Sequence, residues 1–97
     1  SSVLIQDVIS LISRSCMIIV DFTGKNPNVF YETGVAHALG KEVIPITQSI
    51  DDVPFDLKHH RVFRYDNNAN GHIELQKKLE ERMKTITQQH NWYEMMF

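Results

Sequence analysis

Between Cys16 and Thr47 the chain sets two short apolar runs on either side of one slim helical segment, and that alternation leaves few folds open. Cys16-Met17-Ile18-Ile19-Val20 has no polar residue within it. A run so short and uniformly apolar reads as a strand covered on both faces, as in a parallel sheet. Asp21 through Asn28 is dense in turn formers. The sequence then predicts a helix from about Asn28 to Leu39, with Asn26 or Asn28 as N-cap, Pro27 in the first turn and Gly40 at the C′ position. Lys41 suits the negative end of that helix dipole. Gly34, Ala36 and Ala38 keep the helix thin enough for close approach to a sheet. Glu42 to Thr47 is the second buried strand, and Pro45, lacking an N–H, is expected at an edge or a local irregularity.

The flanks extend the same pattern. Val3 to Ser15 carries Leu4, Val8, Leu11 and Ile12 at helical spacing, widened by Ile5 and Ile9, so this helix is expected to be covered on more than one side. Gln48 to Lys58 reads as a loop anchored by Phe55 and Leu57. Arg61 to Tyr65 mixes charge with apolar residues and fits an edge strand. After a polar turn at Asp66 to Gly71 comes a last helix with Leu75, Leu79, Met83 and Ile86 on one stripe. The segment Asn91 to Phe97 is apolar enough to be expected to dock on something.

The order is therefore helix, strand, helix, strand, strand, helix, which points to right-handed crossovers and a parallel α/β sheet. The first strand would lie at a border if nothing preceded it. Its expected cover is a missing N-terminal strand or a partner chain, which makes a homo-oligomer one expectation. With no initiator Met and helix-like sequence directly after Ser1, residues 1–97 read as one partial domain of something longer.

Composition narrows the classes. The 97 residues carry 10 Lys and Arg against 12 Asp and Glu, a net charge of −2, so no basic footprint for nucleic acid is expected. The longest apolar run, Cys16 to Val20, is far short of the roughly 20 residues a bilayer requires, and no membrane partner is expected. A single cysteine suits a reducing compartment, and the cytoplasm is the expected location. Cys16 itself reads as a small hydrophobe of the buried strand. His59-His60 lack metal-ligand spacing. Thr23-Gly24-Lys25-Asn26 is not a P-loop, which would need Gly where Ile19 stands and Ser or Thr where Asn26 stands. Neither a metal nor a cofactor is expected.

In open α/β sheets ligands bind beyond the carboxyl ends of the strands, over helix N-termini, here from Asp21 to Glu32. Asp21 closes the first strand. It either caps the Thr23-Gly24 turn or grips a sugar hydroxyl or relays a proton. Glu32 shares a stripe with Val35, Ala36 and Leu39, which should face the sheet, so its carboxylate is expected to point inward; the alternative is a Glu favoured by the helix dipole. Asn26 and Asn28 can serve as caps, or their segment's N–H groups can hold an anion.

The run Ile18-Ile19-Val20-Asp21, followed by Asn26-Pro27-Asn28-Val29-Phe30-Tyr31-Glu32-Thr33-Gly34-Val35-Ala36-His37-Ala38-Leu39-Gly40-Lys41, resembles the nucleoside 2-deoxyribosyltransferase-like superfamily. It is most similar to a bacterial nucleotide-binding, TIR-like branch carrying NPNVxYExGxAxxxGK. Val53-Pro54-Phe55-Asp56-Leu57 with Arg61-Val62 fits that branch too, so the likeness spans roughly Ser13 to Tyr65. The resemblance implies a Rossmann-like or flavodoxin-like three-layer α/β/α domain, truncated at its N-terminus, whose last three strands lie here in a short parallel sheet. It implies Glu32 as the catalytic nucleophile at an anomeric carbon and Asp21 as an acidic residue near the sugar. Thr23, Gly24, Asn26, Asn28 and Tyr31 are the expected substrate-binding residues. Thr33 stands where the family more often has Leu.

The expected function is cleavage of a nucleoside or nucleotide N-glycosidic bond, or deoxyribosyl transfer, on a nucleoside, nucleotide or dinucleotide. The alternatives are a non-catalytic nucleotide-binding or sensing module of a larger signalling or defence protein, and a structural or assembly domain.

Overall fold

The computed structural model describes residues 3–58 and 60–96, and side chains over residues 7–58 and 60–89. The chain forms two compact units, Ser1–Arg64 and Tyr65–Phe97. The first unit runs α1 (Val3–Arg14), β1 (Met17–Asp21), α2 (Pro27–Ala38), β2 (Glu42–Thr47) and β3 (Phe63–Arg64), and the second holds α3 (Ala69–Met96). Three helices and a three-stranded, all-parallel sheet in the order β1-β2-β3 make this an α/β protein of the small Rossmann-like or flavodoxin-like kind.

Helix α2 starts and stops where local chemistry demands. Asn26 is its N-cap, its side-chain oxygen accepting from the Asn28 N–H at 2.9 Å, and Pro27 occupies N1, where no intrahelical N–H is required. At the other end Gly40 has φ +70°, the Lys41 N–H reaches the Ala36 carbonyl at 2.9 Å, and the Gly40 N–H reaches His37 at 3.0 Å. This pair of bonds is the Schellman arrangement, and it turns the chain directly into β2. The Lys41 ammonium does not serve α2's own dipole. It donates to the Ser13 carbonyl at 2.9 Å and so ties the end of α1 to the start of β2.

Beneath α2, Ile18 and Val20 of β1 stand beside Val43 of β2, packed with Val29 of α2 and with Phe22, Val53, Leu57 and Val62. Full burial of such a side chain contributes roughly 1.5–3 kcal/mol of transfer free energy, so this cluster holds the loop after β2 as well as the sheet. Val53, 3% exposed, is a further anchor of that loop. Leu57 anchors the loop as expected, whereas Phe55 is 75% exposed.

Several expectations need correcting. Strand β1 is not covered on both faces: it borders the sheet, and Ile19 is 44% exposed. Cys16 lies just before β1 and is exposed. In α1, Ile12 is buried but Ile9 and Leu11 are exposed, so over its described side chains, residues 7–14, the helix is covered along a narrow stripe. Strand β3 shrinks to two residues. Pro45 sits in the central strand. The Phe22 N–H donates to the Ile46 carbonyl, so residues of Ile46's parity face β1 and Pro45 faces the β3 side. There the pairing begins only at Ile46 and Thr47, so the missing donor interrupts no strand pairing.

In the second unit, Asn68 caps α3 by accepting from the Gly71 N–H at 2.7 Å. A Cβ at Gly71 would overlap the Asp66 carbonyl oxygen, so the close turn into the helix requires glycine there. Lys77, Lys78, Glu81 and Lys84 are exposed, and Leu75, Leu79 and Met83 form the less exposed stripe. The expected docking of residues 91–97 concerns side chains outside those described. Among the described residues no helix is long and apolar enough to cross a membrane.

Candidate functional site

The carboxyl end of β1 is built around Asp21. Its Oδ1 accepts from the Thr23 N–H at 3.0 Å and from the Thr23 hydroxyl at 2.6 Å, and the Thr23 Oγ1 in turn accepts from the Gln48 N–H at 2.9 Å. The half-buried carboxylate thus fixes the turn after β1 and, through Thr23, the end of β2. One oxygen has the capping role read from the sequence. The turn is tight: Gly24 has φ +80° and Lys25 has φ +56°, a left-handed conformation that side chains other than Gly and Asn rarely adopt. Gly24 also donates its N–H to Asp52 Oδ2 at 2.8 Å, linking the turn to the loop after β2.

Glu32 lies in the second turn of α2, beyond the reach of the helix dipole's favourable end, and no acidic residue occupies the first turn. It is half-buried. Among the described residues nothing hydrogen-bonds or ion-pairs with it. The stripe that faces the sheet is Val29, Thr33 and Ala36, one position round from the expected Glu32-Val35-Ala36-Leu39; Leu39 is 45% exposed. Thr33 can occupy that stripe because its hydroxyl donates to the Val29 carbonyl at 2.7 Å. Glu32 therefore flanks the buried stripe and does not lie at its centre.

On the opposite flank, α2 and the loop after β2 enclose an open cleft of about 630 Å³. Phe22, Phe30, Val53 and Leu57 form its apolar surface, with Lys25, His37 and the carboxylates Asp51, Asp52 and Asp56 around it. The Phe22 and Phe30 rings stack at 5.7 Å, and His37 stacks on His60 at 6.1 Å. With about 100° between successive helical residues, Phe30, Thr33, Gly34 and His37 take one flank of α2 and Glu32, Val35 and Leu39 the other. Glu32 is thus turned away from the loop after β2 and toward the side where β1 borders the sheet.

The expected site residues separate accordingly. Asp21, Thr23 and Gly24 form one bonded turn, Asn26 caps α2, and Asn28 and Tyr31 are exposed on its first turns. Neither Asp21 nor Glu32 lines the cleft. The cleft was missed because its walls come from residues about 30 positions apart, and its one sequence signal, Val53-Pro54-Phe55-Asp56-Leu57, does not reveal which apolar side chains turn in. Among the described residues no group of three His, Cys, Asp or Glu is arranged to hold a metal ion. Comparisons with known protein families, curated proteins and solved structures find no match to this chain.

Proposed function

We propose that this chain carries the sugar-attacking part of an enzyme that cleaves nucleoside or nucleotide N-glycosidic bonds or transfers the deoxyribosyl group, working in the cytoplasm. The observation that carries the reading is Glu32: half-buried, in the second turn of α2, with no cap, dipole or ion pair among the described residues to account for it. A half-buried carboxylate near the N-terminal end of α2 stands at the end of a parallel α/β sheet where such folds commonly bind ligands. In the proposed reaction a Glu32 oxygen attacks the anomeric carbon as the carbon–nitrogen bond breaks, and the base leaves with the bond electrons and takes a proton from solvent. Water, or a second base, then displaces the glutamyl ester from the opposite side, with net retention. Asp21, with Oδ1 committed to Thr23, suits orienting a sugar hydroxyl better than shuttling a proton. Asn28 and Tyr31 supply polar contacts at the exposed start of α2.

The test is base release from a panel of nucleosides, nucleotides and NAD, followed by chromatography. Glu32→Gln is expected to lower release by at least about 10³-fold, since the nucleophile is lost, without moving the unfolding midpoint. Equal release by that variant overturns the proposal. Saturable binding without product, with Glu32→Gln changing affinity alone, would replace it by a nucleotide-sensing module, a reading that the structural commitment of Asp21 favours.

A further inference from the structure

The cleft on the other flank of α2 uses none of these residues, and we propose that it binds a small organic cation, a protonated amine carried on an apolar body. Its volume, about 630 Å³, lies within the range of small-molecule sites, which are mostly apolar with a few polar groups at the margin. The apolar part is fixed: Phe22 and Val53 support it from within the core, and Phe30, stacked on Phe22 and lining the cleft, is 37% exposed.

The charges select the sign of that guest. Three carboxylates, Asp51, Asp52 and Asp56, stand around the cleft against one ammonium, Lys25, and one imidazole, His37. Asp52 is occupied in holding Gly24. Asp51 and Asp56 are exposed, and among the described residues neither makes a hydrogen bond or ion pair. The loop is held without them, by Thr47 and Ser49 bonding each other, by Asp52 on Gly24 and by the burial of Val53 and Leu57. Two carboxylates with no partner among the described residues, beside an apolar recess, repel anions and lower the energy of an arriving cation. A cation seated against Phe30 gains a ring contact, and its apolar body displaces water from the exposed part of that ring.

Three ligands of one shape separate charge from hydrophobicity: tryptamine, 3-methylindole and indole-3-acetate. Each is titrated into the isotope-labelled chain while the amide signals of Thr33, Gly34 and Val53 are followed by NMR. Tryptamine is expected to move those signals saturably and to bind at least about tenfold more tightly than indole-3-acetate at low salt. The double variant Asp51→Asn/Asp56→Asn should weaken tryptamine by about three- to tenfold, and Lys25→Ala should tighten it. Both acids are exposed, so the variant keeps its fold, which the unperturbed signals elsewhere verify. Equal affinity for the three ligands, shifts confined to residues outside the cleft, or no saturable shift with any ligand overturns the proposal.

Discussion

Asp21 shows how much of a fold one carboxylate can hold. Its Oδ1 takes two donors from Thr23, and Thr23 takes one from the backbone of Gln48, so a single side chain organises the ends of two strands. Hydrogen bonds to a charged acceptor are worth about 1.5–3 kcal/mol each, and the half-exposed position reduces the sum. Asp21→Ala is expected to lower the unfolding free energy by about 2 kcal/mol in urea titrations, and Asp21→Asn, which keeps an acceptor, by about 1 kcal/mol or less. Thr23→Val should cost a similar amount, and the double variant less than the two together, because both remove the same network. The cap was legible in the sequence from an acidic residue followed by Thr-Gly. The bond from Gln48 was not, since nothing local to Thr23 signals a partner 25 residues away.

At the scale of elements, legibility follows how local the determining interaction is. The limits of α2 and β2 could be read because Asn26, Pro27 and Gly40 act within a few residues of themselves. The loop after β2 could be read only in part. Phe55 and Leu57 are both large and apolar, and their sequence does not reveal that the short 3₁₀ turn at Phe55–Leu57 buries Leu57 and presents Phe55 to solvent. Leu57→Ala is therefore expected to cost about 2–4 kcal/mol, through lost transfer energy and the space left behind, whereas Phe55→Ala should stay within about 0.5 kcal/mol. Comparable losses from the two variants in denaturant titrations would contradict this assignment of the anchor. Glu32 belongs to the same lesson. Periodicity located it to within one position of the buried stripe, but a shift of about 100° separates a side chain under a helix from one beside it.

For the molecule as a whole, the governing fact is a parallel sheet bordered by an apolar strand. The hydrogen bond from Phe22 to Ile46 fixes which residues of β1 face β2, and so directs the backbone groups of Met17, Ile19 and Asp21 outward. An open border with Ile19 partly exposed is a template for another strand. Ile19→Lys is expected to change the unfolding free energy by no more than about 1 kcal/mol and to reduce concentration-dependent association in sedimentation velocity. A mutant that associates as the parent does would show that this border takes no part in it. The class of fold was legible from the alternation of strand and helix; the exposure of β1 depends on what lies beside it, which no single run of residues encodes.

The bond from Asp52 to Gly24 ties the wall of the acidic cleft to the turn that holds Asp21. Gly24 adjoins Thr23, whose hydroxyl and N–H hold Asp21, so the wall of the acidic cleft and the seat of the Asp21 carboxylate share one short stretch of backbone. A guest that draws Asp52 outward must tug that stretch with it, and its arrival would be felt as a change in where the Asp21 oxygens point.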